Sequence, residues 1–523
     1  MIDGVFGGSL IGMQVQHGTG NEYPKGGRLK CTYIFWTITC TVGSDPCDHV
    51  ARVTIDMLPD VALLRVFDFY LHQARVEAWC KLVHVCRNWR AVIFGSPRRL
   101  GLRLYCGDST PVREKLVVWP PLPIVVSAGY GVDNIIAALE HSDRIYELSL
   151  FNISSSHLDK VLEKMQQPFP ILTRLKLQPN KGPSLVVPAS FLGGSASCLQ
   201  SLCSKRISFL GLPHLLLTAT RLVNLDLRMI PYSGYFFSPE ALVACLAELT
   251  ALKTLQIDFE SPRSRPDRTN WRLPPPTRSL LPVLTYFRFR GVGEYMEDLV
   301  ARIDAPRLDN LAITFSPQLR FDTRQLTQFI TRTPKFKTHN TARLVFSDDV
   351  VWVKLPQTDG VLELGLLCGR PDWRILSLAQ VCSSSIPQDL IHRVEHLYIL
   401  EDDYEDSPLW QDDVERSRWL ELLHPFTAVK DVHISQEFVL CISLAFQELV
   451  RVTATEVLPA LETLFLDEDE PLPSGPIKEA IEQFISARQL AGLPIAVSRW
   501  EERLSFEEGE SSWESQSETD ESM

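Results

Sequence analysis

The chain of 523 residues is 45% hydrophobic and 22% charged, a balance that excludes general disorder and supplies a large apolar core. Its length suits about two to four domains, or one small module beside an extended repeat domain. The formal net charge of -12 is concentrated: Glu501 to Met523 hold nine acids against Arg503 alone, a share of -8, which leaves -4 for the rest and excludes the strongly cationic footprint of a nucleic-acid binder.

Residues 1-50 are an extension whose order the sequence leaves open. Within it Cys31 to Val42, C-T-Y-I-F-W-T-I-T-C-T-V, is β-prone, too short to span a bilayer and read as a strand. A helical block follows over residues 53-100. Pro59 and Asp60 predict a helix start, because proline suits the first turn and a carboxylate is favourable at the positive end of the helix dipole. Val61, Leu64 and Phe67 recur at helical spacing with Leu63, Val66 and Tyr70 beside them, an apolar stripe wider than a small core requires. A second helix is predicted through Trp79, Leu82, Val85, Cys86 and Trp89, with Lys81, Arg87, Asn88 and Arg90 on its other side, ended by Gly95 and Pro97. So few short helices cannot bury so many large side chains alone, so part of this surface is expected to cover another domain or another chain. The alternative is an ordinary amphipathic hairpin belonging to a larger core.

This block resembles an F-box: an opening Leu58-Pro59, an aliphatic run, then Val85-Cys86 followed by Trp89 and Ile93, with Val92 beside it. The link from Leu71 to Glu77 lacks the Asp-Leu pair usual in that family, which leaves the start of the second helix open. Trp89-Arg90 and the stretch Phe94 to Leu100 are similar to a large group of fungal F-box proteins. The resemblance implies binding to the Skp adaptor of cullin-RING ubiquitin ligases. Leu58, Pro59, Leu63, Leu64, Val66 and Phe67 would form one part of the adaptor-facing surface, and Val85, Cys86 and Trp89 the other, while the rest of the chain recruits substrate.

Over residues 101-500 a pattern of the form apolar-x-x-apolar-x-apolar returns: Ile145/Leu148/Leu150, Leu172/Leu175/Leu177, Leu222/Leu225/Leu227, Leu252/Leu255/Ile257, Leu284/Phe287/Phe289, Leu308/Leu311/Ile313, Val394/Leu397/Ile399, Val429/Val432/Ile434 and Leu461/Leu464/Leu466. Neighbouring copies are mostly about 24 to 35 residues apart, the length of one strand plus one helix. Helices are predicted between copies: after Asp133, over His157 to Met165, after the Ser238 cap with Pro239 at the first helical position, over Tyr295 to Ile303, and over Trp419 to Leu423. Proline just ahead of strands, at Pro170, Pro282, Pro306 and Pro459, ends the helix and sets an extended start. The pattern resembles an irregular leucine-rich-repeat solenoid, although the Asn or Cys that normally follows the strand is mostly missing. A non-repetitive α/β domain is the alternative. The period is lost from Ala342 to Leu366, where a break, a bulge or a hairpin insertion is predicted.

The fold class is therefore α/β: a small all-α F-box-like module, an irregular leucine-rich-repeat-like solenoid and, over residues 501-523, a disordered acidic C-terminal tail. In a solenoid, strand residues between the aliphatic anchors face away from the helices and are candidate contacts for a protein substrate. Chief among them are Tyr146, Arg174, Lys176, Asp226, Tyr286, Arg288, Tyr398 and His433, a mixture of charge, Arg and Tyr that suits protein recognition. Each is also readable as plain solvated surface. Ser261 to Arg278 is a Pro-rich basic loop, and Glu401 to Asp406 with Asp412 to Glu415 an acidic counterpart.

Neither Walker A, G-x-S-x-G, H-E-x-x-H nor a dinucleotide fingerprint occurs, and Gly107-Asp108-Ser109 lacks the glycines that would make it a hydrolase motif. Cys86 lies on an apolar helix face and is read as a packing residue. The twelve cysteines include no C-x-x-C pair, so buried reduced thiols are expected and neither a metal nor a cofactor. A poor secretory signal and the lack of a membrane-length apolar run point to the cytoplasm or nucleus, with no membrane partner. The expected function is the substrate-recognition subunit of a Skp-cullin-F-box ubiquitin ligase, itself non-catalytic. The alternative is a leucine-rich-repeat scaffold that assembles no ligase.

Overall fold

The computed structural model describes residues 4-6, 9-11, 58-73, 78-95, 102-180, 185-209, 211-231, 238-260, 277-316, 322-337, 339-347, 349-357, 360-368, 373-401, 416-452, 456-467 and 475-500. The Cys31 to Val42 strand, nearly all of the Ser261 to Arg278 loop, the acidic runs beyond Glu401 and the tail from Glu501 lie outside the described residues. The chain divides into two compact units, Met1–Tyr105 with Trp119–Val125, and Cys106–Val118 with Val126–Met523.

In the first unit, α1 (Asp60–Gln73) begins where Pro59 and Asp60 predict. Pro59 sits just before the helix, its carbonyl accepting from the N–H of Ala62 at 2.8 Å and of Leu63 at 3.0 Å. The predicted second helix is two: α2 (Ala78–Val83) and α3 (Arg87–Gly95). The break falls at His84 and Val85, whose N–H groups reach back only three residues, to Lys81 and Leu82. Such tight bonds close a helix end. Cys86 then opens α3, its Sγ accepting from the Trp89 N–H at 3.4 Å, while Arg90 Nε donates to the Val83 carbonyl at 3.0 Å. A cap at each side of the break satisfies groups that a continuous helix would have paired internally. Leu63, Phe67, Leu82, Val83, Trp89, Val92 and Ile93 are buried, and the Phe67 and Trp89 rings meet at 4.7 Å with planes inclined by 59°.

Two strands with alternating burial follow, β1 (Leu102–Cys106) and β2 (Ile124–Ala128). The helix α4 (Val112–Val118) lies between them in sequence. The Gly107-Asp108-Ser109 tripeptide forms a turn. Asn134 Nδ2 donates to the Gly107 carbonyl at 2.7 Å, and Gly131, at φ 76°, approaches Gly107 so closely that a Cβ would lie 2.8 Å from its carbonyl carbon.

The second unit is built on parallel strands: β3 (Ile145–Ile153), β4 (Arg174–Pro179), β5 (Ser201–Lys205), β6 (Asn224–Ile230), β7 (Thr254–Phe259), β8 (Tyr286–Gly291) and β9 (Asn310–Phe315). Each pairs in parallel with the next. Their register aligns Leu148, Leu175, Leu202, Leu225, Leu255, Phe287 and Leu311 in one buried row. Burying a side chain of this kind contributes about 1.5–3 kcal/mol, so a row of them outweighs any single polar contact. The strand β5 escapes the sequence pattern because Ser204 stands where its neighbours carry Leu177 and Leu227. Its turn is nonetheless the same, with the Leu199 N–H bonded to the Ala196 carbonyl.

That turn recurs before the strands: the N–H of Leu172, Leu222, Leu252, Leu308, Val394 and Leu461 each bonds to the carbonyl three residues earlier, at 2.9 to 3.3 Å. The next step replaces the missing Asn or Cys. One carbonyl at each strand start accepts two successive N–H groups from the following strand, Thr173 from Gln200 and Ser201, Gln200 from Val223 and Asn224, Val223 from Lys253 and Thr254, Lys253 from Thr285 and Tyr286. Shared backbone carbonyls thus fasten one unit to the next, and side chains add to them only at places, as the Thr173 and Thr285 hydroxyls do on the Tyr146 and Lys253 carbonyls.

Helices α5 (Val132–Leu139), α6 (Ser155–Lys164), α7 (Leu212–Thr218), α8 (Pro239–Glu248) and α9 (Gly293–Val300) lie in the intervals. At α8 the Ser238 Oγ accepts the Ala241 N–H at 3.3 Å, the predicted cap. The predicted helix to Ile303 stops at Val300, and Ile303–Asp304 instead pairs with Ser279–Leu280. Among the described residues between β4 and β5 no α-helix occurs. A short strand, Leu185–Val187, pairs with Ile207–Phe209, and a 3-10 turn covers Phe191–Gly194. Helices α8 and α9 are tied by Arg302, 5% exposed, whose guanidinium donates to Glu240 at 2.8 Å and to Asp298 at 2.8 Å. Next comes α10 (Arg324–Arg332), whose first N–H groups at Gln325 and Leu326 are accepted by the Glu297 carboxylate at 2.8 Å each.

Where the period is lost, the hairpin outcome holds. The strands β10 (Thr341–Phe346), β11 (Val350–Gln357) and β12 (Gly360–Leu367) form an antiparallel meander. The chain crosses to β10 and returns, so that β12 pairs with β9 while β10 pairs with β13 (His396–Glu401), both in parallel. Parallel order resumes through β14 (Asp431–Ile434), β15 (Thr463–Asp467) and β16 (Ala496–Trp500). The helices here are α11 (Arg374–Ser384), α12 (Gln388–Ile391), α13 (Arg416–Leu423), α14 (Gln436–Val452) and α15 (Pro476–Leu490). Phe446 and Phe484 stack between the last two at 4.4 Å.

Candidate functional site

From β3 to β9 one face of the strands carries the aliphatic rows and is buried. The other carries the residues between them, mostly exposed or half-buried with Gln256 buried, because side chains alternate along a strand. Arg174, Lys176, Asp226, Tyr286, Arg288, Tyr398 and His433 all stand on this second, open face. Tyr146 does not join them. It precedes the ladder and gives its carbonyl to the Thr173 N–H at 2.9 Å; Glu147 takes the place in register with Arg174, 3.7 Å from its guanidinium. Ile145 and Tyr146 belong to β3 but lie ahead of its register with β4, which begins at Glu147.

Of the remaining seven, Arg174 and Tyr286 share one row through Ser201, Asn224 and Thr254, and the other five fall into two groups. In the first, Lys176, Cys203, Asp226, Gln256 and Arg288 are partners in register across β4 to β8. Arg228 Nε donates to both oxygens of Asp226 at 3.0 Å, and the Cys203 Sγ donates to Asp226 at 3.4 Å. Burial, with the Asp226 charge adding to it, pushes the Cys203 thiol up to about 12. Burial likewise pushes Cys106 and Cys382 up to about 12 and Cys368 to about 11, so these thiols stay protonated and weakly nucleophilic at neutral pH.

The second group is aromatic. Arg343, Tyr398, His433 and Phe465 are partners in register across β10, β13, β14 and β15. Tyr398 stacks on His433 at 4.2 Å and His433 on Phe465 at 4.3 Å, with planes inclined by 10° and 1°. Trp500 meets His433 edge-on at 5.1 Å, and Arg343 stands 5.8 Å over the Tyr398 ring. Adjacent strands hold rings about 4.8 Å apart, which is why a row of aromatics stacks. Sequence reasoning found Tyr398 and His433 but not Phe465, Trp500 or Arg343, since the register that joins them is set by tertiary pairing. His433 Nδ1 and Trp500 Nε1 are buried without a hydrogen bond among the described residues.

Burial is the largest influence on His433 and lowers its pKa to about 4, with His396 lowering it further and Asp431 opposing. An unfolded imidazole protonates near 6.5, so this group favours folding above that pH. The contribution is lost as pH falls from about 6.5 to about 4. Thermal unfolding followed from pH 7 to pH 4 is expected to decline less steeply in His433→Phe, which keeps the stack, than in the native chain. Parallel curves would show that His433 is not held neutral.

In the helical unit, Leu63, Phe67 and Trp89 of the predicted adaptor surface lie inside, because they face one another across α1 and α3. Leu58, Leu64 and Cys86 are half-buried, and Pro59, Val66 and Val85 are exposed. Val61 is 67% exposed and Val85 57%, so apolar surface does remain outside the small core. Among the described residues no group of three or more His, Cys, Asp or Glu is placed to hold a metal, and no helix is long and apolar enough to cross a membrane.

No family model matches the chain, and no curated protein matches it. Among solved structures it is similar to the leucine-rich repeat-containing protein LegL7 from Legionella pneumophila, with 12% identity and a TM-score of 0.26 over 73% of this chain and 96% of that one. At that score the likeness carries no argument, and the description of the second unit as a repeat rests on its recurring turn, its shared carbonyls and its buried rows.

Proposed function

We propose that the chain is the substrate-recognition subunit of a Skp-cullin-F-box ubiquitin ligase. The helical unit would hold the Skp adaptor, and through it a cullin, while the open face of the repeat unit holds a protein to be modified. The observation that carries this reading is the state of the Leu58-Pro59 to Ile93 block. Its motif residues Leu63, Phe67, Trp89 and Ile93 make a small core, while Val61, Val66, Tyr70 and Val85 stay exposed, apolar positions on which a partner chain can pack. On this reading the subunit is non-catalytic, uses no cofactor, and works in the cytoplasm or nucleus. The repeat unit by itself supports the coarser reading, an interaction scaffold that assembles no ligase.

Co-expression with a Skp adaptor separates the two. A stoichiometric complex is expected, lost with Leu58→Ala plus Pro59→Ala and lost more completely with Val66→Glu plus Val85→Glu, which place charge on exposed apolar positions and leave the buried core intact. Full adaptor binding by both double variants would overturn the assigned interface. An absence of any complex with the native chain would leave the scaffold reading.

A further inference from the structure

The open face of β3 to β8 carries more positive charge than its own acids neutralise. Glu147, Asp226 and Asp258 each stand beside an arginine, at 3.7 Å from Arg174, 3.0 Å from Arg228 and 3.7 Å from Arg290. Lys176, Lys205 and Arg288 point from the same face and form no ion pair among the described residues. This surplus stands in residues 1-500, whose formal net charge is -4.

The spacing limits what could fill it. Lys176 and Arg288 lie on one row, separated by Cys203, Asp226 and Gln256 on the intervening strands. Four strand spacings of about 4.8 Å put their Cα positions roughly 19 Å apart, the span of about six residues of extended chain. Cations that far apart do not converge on one small anion. A nucleic-acid strand would bring a phosphate against the Asp226 carboxylate between them, whereas a peptide can carry acids at its two ends and neutral residues in the middle.

We propose that this row receives an extended acidic segment of the recruited protein, lying across the strands with one carboxylate on Lys176 and another on Arg288, about six residues apart. The assignment names a partner chemistry for the receptor face proposed above and rests on that reading. The test uses the full chain and a fluorescein-labelled peptide, Glu-Glu-Ser-Gly-Ser-Gly-Glu-Glu, followed by anisotropy at low ionic strength. Binding is expected to weaken with added salt and to fall at least about tenfold in Lys176→Glu plus Arg288→Glu. Lys478→Glu, a reversal on α15 away from the row, is expected to leave it unchanged. Lys176→Gln plus Arg288→Gln, checked by circular dichroism, gives the same answer without introducing acids. Undiminished binding in both pairs of variants overturns the proposal, as does displacement of the peptide by an oligo-dT strand. Binding seen only after removal of residues 501-523 would assign the row to the chain's own acidic end and overturn it as well. Adaptor co-purification with the Lys176/Arg288 variants keeps the two readings apart: adaptor retained with peptide lost supports both, and peptide binding without adaptor leaves this row standing while the ligase reading fails.

Discussion

Replacing Arg488 by leucine is expected to lower the unfolding free energy of the repeat unit by about 3–5 kcal/mol, the range for breaking a buried charged contact. Arg488 is 0% exposed. Its guanidinium donates to the carbonyls of Leu458 and Pro459 at 3.3 Å and of Leu461 at 3.1 Å. Those carbonyls belong to the turn that leads into β15, where Leu458 is held at φ 50°, a backbone conformation that a branched residue adopts only under constraint. Leucine has the bulk to fill part of the space but cannot donate, and each buried acceptor left unpaired costs about 1–3 kcal/mol. Burial lowers the guanidinium pKa, yet arginine starts far enough above neutrality to remain charged. Lysine is expected to recover only a fraction, because its three N–H donors radiate from one nitrogen whereas the planar guanidinium reaches these carbonyls from two. The check is the urea midpoint at constant m-value. A native midpoint for Arg488→Leu would mean that the turn is held by its apolar contacts alone.

Gly360→Ala should be nearly as damaging, through sterics in place of charge. A Cβ at this position would collide with the Asp309 carbonyl oxygen. The obstacle is backbone, fixed where β9 and β12 join, with Asp309 oxygen also accepting the Val361 N–H at 3.2 Å. No rotamer relieves such a clash, so β12 must shift along or away from β9. Overpacking of a well-fitted site usually costs about 1–3 kcal/mol and sometimes more; about 3 kcal/mol is expected here because the displaced strand carries the meander with it. Hydrogen exchange is expected to rise first in β11 and β12. Unchanged protection there would show that the seam accommodates a methyl group. Serine at Gly360 is expected to behave as alanine does.

Much of this architecture is legible in the residues. The α1 start at Pro59-Asp60, the Ser238 cap and the aliphatic anchors of the strands follow from local rules that need no tertiary information. Failures have definite causes. The second helix of the block splits because Cys86 and Arg90 can cap a break, a choice that periodicity alone does not reveal. The strand β5 was hidden by one serine, Ser204, since a buried hydroxyl on the core face breaks the apolar pattern without breaking the strand. Counting from Ile145 sets Tyr146 on the open face, whereas the register of β3 with β4 begins at Glu147. At the candidate surface, the residue types were readable but their grouping was not. Tyr398 and His433 are far apart in sequence and stack only because β13 and β14 pair in that register.

What the amino-acid sequence determined by itself is the repeating half of the problem: a helical block that opens at Pro59-Asp60, apolar anchors at strand positions, and an open face of mixed charge between them. These are local facts, set by side-chain periodicity and capping. The tertiary structure alone decided which unit follows which across the meander, that a backbone carbonyl shared by two N–H groups fastens one unit to the next, and that Lys176 and Arg288 share a row. Those depend on register, and register is a property of paired strands, since a shift of one residue would exchange the buried face for the open one.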